Sequence, residues 1–160
     1  MRILLTKISD KRHVLEVVRS DGSREKVELV TREFLFHDLL HYAVESSLSA
    51  QRGFWGTIAS GKTIVDLNDR TGESVRENAG TLYLVEGIVG VMSGVVQMPL
   101  DQALAKLRWF SESQGQKLPE WCTESFVAEV SERMRRLLGQ WKATAYCKSM
   151  EIAWVETEPE

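Results

Sequence analysis

Cysteine is scarce in this sequence, and its scarcity excludes one kind of metal site. Cys122 and Cys147 are the only cysteines among 160 residues, and they form no Cys-x-x-Cys pair. Two such cysteines cannot build a cysteine-ligated metal centre, and in a reducing compartment we expect them to be small, mostly buried apolar side chains. A chain of this length can bury about 70% of its unfolded surface, so it can form a core without disulfide cross-links.

The sequence also lacks an excess of positive charge. It has 20 basic and 23 acidic side chains, which give a formal net charge of -3. Binding to nucleic acid requires a basic stripe that displaces counterions from the phosphates, and no long run of Lys or Arg is present. We therefore expect neither DNA nor RNA as a partner.

No uninterrupted apolar segment is long enough for a membrane. Only residues 3–5 are apolar between the polar groups at the amino terminus, which is too few for a signal peptide. The longest apolar stretch, residues 79–98, is interrupted by Glu86 and Gln97, and a carboxylate in the middle of a span costs a few kcal/mol in lipid. We expect a cytoplasmic protein without a membrane span.

The amino-terminal residues predict a β-meander. Residues 2–8, 13–19 and 24–30 are rich in apolar residues or alternate apolar with charged ones, which is typical of strands. Asp21-Gly22 lies between the second and third segments and favours a tight hairpin, because both central residues of such a turn tolerate positive φ. Residues 144–155 alternate again and predict a strand that returns to the same sheet.

The central part predicts about four helices. The first has Thr31 as its N-cap, the second starts with the capping box at residues 74–77, the third covers residues 101–113, and the fourth starts at Pro119. The second contains four glycines, Gly80, Gly87, Gly90 and Gly94. Glycine disfavours helix by about 1 kcal/mol, so we expect either a neighbouring helix packed closely on this face or two buried strands instead.

These elements predict one α+β domain, with an antiparallel sheet covered by helices on one side. Residues 53–73, which contain four glycines, are expected to form a long loop with a short strand at residues 63–67. The predicted organisation of residues 1–160 is a meander at 1–30, a first helix at 31–52, the loop at 53–73, further helices at 74–141 and a last strand at 144–155.

Two of the three histidines, His37 and His41, lie four residues apart on the first predicted helix. This spacing places both rings on one face, where they can bind one metal ion. The segment from His37 to His41 resembles the H-E-x-x-H motif of zinc metallopeptidases, with Asp38 in place of the glutamate. The resemblance implies that the histidines are ligands and that Asp38 is the general base. It covers five residues, and no further histidine pattern of that family follows.

A third ligand is expected from Glu86 or, as an alternative, from Glu45. Glu86 interrupts an apolar helix, where an unpaired carboxylate is costly, so a cation should face it. Glu45 is one turn beyond His41, although it lies about 80° from His37 around the helix axis. Two histidines and one carboxylate would bind zinc or another divalent metal and leave a position open for water. Without a metal, the histidines would instead be structural hydrogen-bonding residues.

Residues 56–63 match the phosphate-binding pattern G-x-x-x-x-G-K-[ST] letter for letter. The pattern requires a buried strand before the first glycine and a helix after the lysine. Neither is predicted here, so we do not expect nucleotide hydrolysis. Trp55 and Lys62 are instead candidate ligand contacts over the histidine face, with Trp55 exposed.

The alternative function is that of a non-catalytic interaction module. In this hypothesis the chain forms a homodimer through the glycine-rich face of the second helix or through exposed aromatic residues. Trp109 and Trp154 are expected in the core, and His13 at the surface beside a turn.

Overall fold

The computed structural model describes residues 1–68 and 79–155. Four strands form one antiparallel sheet in the order β3-β2-β1-β4. The strands are β1 (Arg2–Lys7), β2 (Arg12–Val18), β3 (Arg24–Val30) and β4 (Ser149–Ala153). The described residues also form six helices: α1 (Thr31–Leu48), α2 (Phe54–Ala59), α3 (Ile64–Asn68), α4 (Ala79–Ser93), α5 (Leu100–Ser113) and α6 (Glu124–Ala143). The predicted α+β fold, with a meander joined by a returning carboxyl-terminal strand, is confirmed.

The sheet has one buried face, which follows from its register. Leu5 of β1 lies opposite Leu15 of β2 and Met150 of β4, and all three side chains are buried. Their sequence neighbours point to the other face, because side chains alternate along a strand. The helices pack on the buried face and close a single apolar core.

The hairpin between β2 and β3 turns at Asp21-Gly22 as predicted, but only Gly22 of the two residues has a positive φ, so the expected positive φ at both central residues is wrong. Gly22 adopts a φ of +85°, and its amide donates to the Arg19 carbonyl at 3.0 Å. The amide of Ser23 donates to the Asp21 side chain at 2.8 Å. Asp-Gly therefore sets the register of this hairpin, as its turn chemistry indicates.

The prediction of a long loop with a short strand at residues 53–73 is wrong for the residues that the structure describes. These residues contain the two short helices α2 and α3. The amino end of α2 is held by the Glu45 carboxylate, which accepts from the amides of Phe54 and Trp55. At α3 the Thr63 hydroxyl accepts from the amide of Asp66 at 3.0 Å, as in a capping arrangement. Side-chain caps thus stabilise helical turns that apolar periodicity did not predict.

The phosphate-loop pattern is not realised as a loop. Gly56 lies inside α2, and a Cβ on it would approach the Gln51 carbonyl oxygen to 2.1 Å. A short helix, α3, does begin after Lys62 and Thr63, contrary to our expectation, but the element before α2 is the helix α1 and not a strand. The glycine therefore allows a close backbone contact rather than a phosphate cradle.

Two predicted helix starts are also wrong. Thr31 is the first residue of α1 rather than its cap, and its hydroxyl lies 3.1 Å from Nδ1 of His13. The fourth predicted helix, α6, starts at Glu124 instead of Pro119. Its cap is Thr123, whose hydroxyl accepts from the Phe126 amide at 3.1 Å.

The glycines of α4 face outward. An added Cβ on Gly80, Gly87 or Gly90 would meet no atom of the described residues within 4 Å. The expected close packing of a neighbouring helix on this face is therefore wrong, and so is the alternative of two buried strands. The capping box predicted at residues 74–77 lies outside the described residues. Among the helices described, none combines the length and apolar character needed to cross a bilayer.

The burial of the tryptophans differs from expectation at two positions. Trp55 is only 2% exposed, whereas Trp109 is 66% exposed. The Trp55 ring is buried because α2 folds back onto α1, where its Nε1–H donates to the Asp38 carbonyl at 3.1 Å. Trp154 lies in the core, as predicted.

Candidate metal centre

Helices α1 and α4 pack against each other and bring both predicted histidines to one position. The rings of His37 and His41 contact edge to face, with centroids 4.5 Å apart. They differ in exposure, because the His41 side chain is buried whereas that of His37 is 52% exposed. One ring is therefore fixed by packing, and the other can rotate at the surface.

Glu86 of α4 completes the group. Its Oε1 lies 3.2 Å from Nε2 of His41, and its Oε2 lies 3.9 Å from Nε2 of His37. One ligand atom from each of these three residues lies within 4.8 Å of the other two. Two ligands of a tetrahedral zinc ion are about 3.3 Å apart, given bonds of about 2 Å. Small rotations of the two half-exposed side chains, His37 and Glu86, would bring the ligand atoms from their present separations of up to 4.8 Å to about 3.3 Å.

Glu45, the alternative third ligand, lies on the opposite side of His41. The Nδ1–H of His41 donates to Glu45 Oε1 at 3.0 Å, and both side chains are buried. Glu45 also accepts from the amides of Phe54 and Trp55, each at 2.9 Å. The structure thus places Glu45 where it orients His41 and holds its Nε2 toward Glu86.

His41 Nε2 is a buried nitrogen with unusual surroundings. It lies 3.2 Å from Oε1 of Glu86, an ion-pair contact whose geometry falls short of a hydrogen bond. In the protonated ring this nitrogen faces the Glu86 carboxylate as a cation; once it loses its proton, its lone pair could bind a metal ion.

The charges at the centre are strongly coupled. Burial disfavours a charged His41 ring, but the carboxylates of Glu45 and Glu86 outweigh this effect and raise the pKa of His41 to about 9. The contact with His41 lowers the pKa of Glu86, which is therefore ionised. Burial raises the pKa of Glu45, although three hydrogen-bond donors favour its charged form. Two carboxylates around one imidazole attract positive charge.

Asp38 lies beside the centre. Its Oδ1 is 3.8 Å from Nδ1 of His37, and the carboxylate is almost completely buried. The Asp38 carboxylate faces Nδ1 of His37, whereas Glu86 faces Nε2 on the other side of the ring. Asp38 therefore does not lie where a general base would contact water bound to a metal at this centre.

The structure does not record Lys62 in contact with the histidines. Its carbonyl accepts from Nη2 of Arg19 at 2.9 Å. Trp55 supports the centre only indirectly, through the Asp38 carbonyl and the hydrogen bond from its amide to Glu45. Because Trp55 is buried, the prediction that it is an exposed ligand contact over the histidines is wrong.

His13 was expected at the surface, and this expectation is wrong, because the residue is completely buried. Its Nδ1 lies 3.1 Å from the Thr31 hydroxyl, and its ring meets Trp141 edge to face at 5.7 Å. The sequence contained a signal for this burial: His13 has the same parity as Leu15 and Val17, so it shares their face of β2. Its proximity to the turn obscured that pattern.

Comparison of the chain with protein-family models, with curated proteins and with solved structures finds no match.

Proposed function

We propose that this protein binds one divalent transition-metal ion, with zinc as the first candidate, through His37, His41 and Glu86. One observation carries the proposal: three metal-binding side chains from two helices converge within 4.8 Å. Imidazole nitrogen and carboxylate oxygen are ligands that zinc accepts readily.

The hydrogen bond between His41 and Glu45 strengthens this proposal. Histidine ligands of metals usually donate their second ring N–H to a carboxylate or carbonyl, which fixes the tautomer and makes the ligand more basic. His41 donates in this way to the buried Glu45. Asp38, at 3.8 Å from His37 Nδ1, is proposed to orient His37 similarly once the exposed ring rotates.

Three protein ligands leave at least one coordination position for water or a small molecule. Because the His37 and Glu86 side chains are about half exposed, that position would open to solvent. The site would thus support metal-dependent binding of a small ligand or hydrolysis by metal-bound water.

Metal analysis of protein purified without a metal-affinity tag tests the proposal. We expect close to one zinc or other first-row ion per chain, or stoichiometric uptake of added zinc by calorimetry after chelation. His37→Ala, His41→Ala and Glu86→Gln should each weaken binding severely. Glu28→Gln, which changes an exposed carboxylate paired with Arg12 on β2, is the matched control and should bind as the parent does.

Absence of bound metal, together with no calorimetric response to zinc, cobalt, nickel or manganese, would refute the proposal. Binding that survives in all three ligand variants would place the metal elsewhere.

A second proposal, homodimer formation, is favoured by the apolar surface of α4 and α5. Tyr83 and Leu84 on α4 and Trp109 and Phe110 on α5 are exposed, with Tyr83 at 83%. Between the helices lies a groove where Gly90 and Gly94 leave room beside Val91. A surface that combines large exposed rings with a groove can complement a second copy of itself across a two-fold axis.

Light scattering over a range of concentrations tests the second proposal. A dimer that becomes monomeric in Leu84→Lys, but not in the control Val65→Lys on α3, would support it. A monomeric parent protein at micromolar concentration would contradict it, and this result would not affect the metal proposal.

A further inference from the structure

The groove between α4 and α5 has room for a small molecule. Its volume is about 270 Å³. A water molecule occupies about 30 Å³ in the liquid, so the groove can hold a chain of about nine non-hydrogen atoms. The lining is apolar or aromatic apart from one lysine, and it includes Gly90, Val91, Gly94, Lys106, Trp109 and Phe110.

The α4 side of the groove is open because it carries glycine. Gly90 and Gly94 lie four residues apart, so they follow each other along one side of the helix. An added Cβ on Gly90 would lie in open space among the described residues, and one on Gly94 would lie 3.9 Å from Nζ of Lys106. The two glycines therefore leave a depression that larger side chains would fill.

The α5 side of the groove carries two aromatic rings and a cation. Lys106, Trp109 and Phe110 are spaced by three and four residues, which places them on one face of α5. Trp109 is 66% exposed and Phe110 is 52% exposed. Large apolar side chains that are exposed together typically mark a binding surface.

The ammonium of Lys106 is fixed at the groove and is accessible from solvent. Its Nζ donates to the carbonyl of Gly94 at 3.1 Å, in an exposed hydrogen bond. Among the residues that the structure describes, no carboxylate forms an ion pair with it. Since an ammonium has three N–H donors, two remain for other acceptors. Because Gly94 itself lines the groove, this charge lies where a bound molecule can reach it.

We infer that this groove binds a small amphipathic monocarboxylate. The carboxylate accepts from Nζ of Lys106, and the apolar body lies along the α4 glycines against Trp109 and Phe110. Small-molecule sites are typically concave and mostly apolar, with few polar groups that orient the ligand. One ammonium at an apolar groove matches one carboxylate on an apolar chain, because a charge-assisted hydrogen bond needs only that pair. The inference does not depend on metal binding.

The indole N–H of Trp109 is the probe for the test. Uniformly ¹⁵N-labelled protein gives one indole signal for each of its five tryptophans, and Trp109→Phe identifies the one from Trp109. Titrations contain a chelator, so that no metal ion binds the carboxylate. We expect this signal to shift saturably with sodium octanoate, to need a higher concentration of 1-octanol, and not to shift with sodium acetate.

Two variants separate the contributions of charge and shape. Lys106→Gln should weaken octanoate binding by about tenfold and leave octanol binding unchanged, because only the carboxylate uses the ammonium. Gly90→Leu should prevent binding of both, since the leucine side chain fills the groove, and leucine favours the helix. Lys117→Gln and Gly139→Leu, whose positions do not line the groove, are the matched controls and should bind as the parent does.

An equal response to octanoate, octanol and acetate would overturn the inference. Unchanged octanoate binding in either Lys106→Gln or Gly90→Leu, with native-like spectra, would overturn it as well. The titration is repeated with Leu84→Lys, because the proposed homodimer would cover the groove and Leu84 does not line it. Binding to Leu84→Lys but not to the parent would show that a second copy occupies the groove, which contradicts the inference and supports the homodimer.

Discussion

The Nδ1–H of His41 donates to Glu45 over 3.0 Å, and neither side chain has appreciable contact with solvent. The same carboxylate accepts from two amides at the start of α2. One buried side chain therefore joins the candidate metal ligand to the backbone of a neighbouring helix. The position of His41 depends on how Glu45 is held, and the first two predictions follow from this link.

Glu45→Gln should destabilise the protein and weaken metal binding together. The amide nitrogen of glutamine would face one of the three N–H donors, which would leave a buried donor unpaired at a cost of about 1–3 kcal/mol. Loss of the orienting carboxylate should lower zinc affinity by about 10- to 100-fold. Urea unfolding with a chelator present measures the first effect, and calorimetric titration with zinc measures the second.

Glu28→Gln is the control for this variant, because Glu28 is exposed on β3 and pairs with Arg12 at the surface. Its stability should stay within about 0.5 kcal/mol of the parent. If Glu45→Gln unfolds at the same urea concentration as Glu28→Gln, the buried network does not contribute as we describe.

Gly53→Ala and Gly87→Ala should change stability in opposite directions. A Cβ on Gly53 would lie 2.4 Å from Cδ of Glu45, so alanine must displace the carboxylate and should cost about 1–3 kcal/mol. Gly87 lies within α4 and faces open space among the described residues, so alanine there should stabilise the helix by about 1 kcal/mol. Thermal and urea unfolding compare the two variants directly.

Zinc titration adds a second readout to this pair. Gly53→Ala should bind zinc more weakly than the parent, since it moves the residue that orients His41. A Gly53→Ala protein with unchanged stability and unchanged zinc affinity would contradict the packing of Glu45 against this glycine.

The strands could be predicted because their pattern is local. Alternation with a period of two, and Asp21-Gly22 between two strands, determine the hairpin without reference to the rest of the chain. The two short helices could not be predicted in the same way. The cap of α2 comes from Glu45, which is separated from Phe54 by nine positions and acts only because α1 ends and the chain turns back.

The candidate centre was predictable in part for similar reasons. The spacing of His37 and His41 places both on one face of a helix, and the interruption of an apolar run by Glu86 indicates a polar partner. The role of Glu45 was not predictable, because the sequence does not show which ring nitrogen of His41 faces α4 and which faces α2. Burial of His13 depended on the register of β2, and the adjacent turn suggested a surface position instead.

His13 should make the protein less stable at acidic pH. Burial lowers the pKa of His13 below its ordinary value of 6.5, although Asp38 opposes the shift. As the pH falls through about 6.5, the unfolded chain takes up a proton that the folded chain refuses, so the free energy of unfolding decreases. Urea unfolding at pH 7, 6 and 5 measures this decrease.

The comparison variant is His13→Leu, which cannot titrate at this position. Other groups protonate in the same pH range, so the test is the difference between the two proteins. The parent should lose more stability between pH 7 and pH 5 than His13→Leu does. Parallel losses in both proteins would show that His13 titrates equally in the folded and unfolded chains.

Zinc binding should strengthen as the pH rises from 7 to 9. The pKa of His41 is about 9, so at pH 7 its ring carries a proton that a metal ion must displace. The affinity should therefore increase by up to about tenfold per pH unit and level off near the pKa. Competition with a chromophoric chelator of known pH dependence measures the affinity, and calorimetry at pH 7 in two buffers of different ionisation enthalpy should report release of about one proton. An affinity that stays constant between pH 7 and 9, with no proton released, would mean that zinc does not bind through His41.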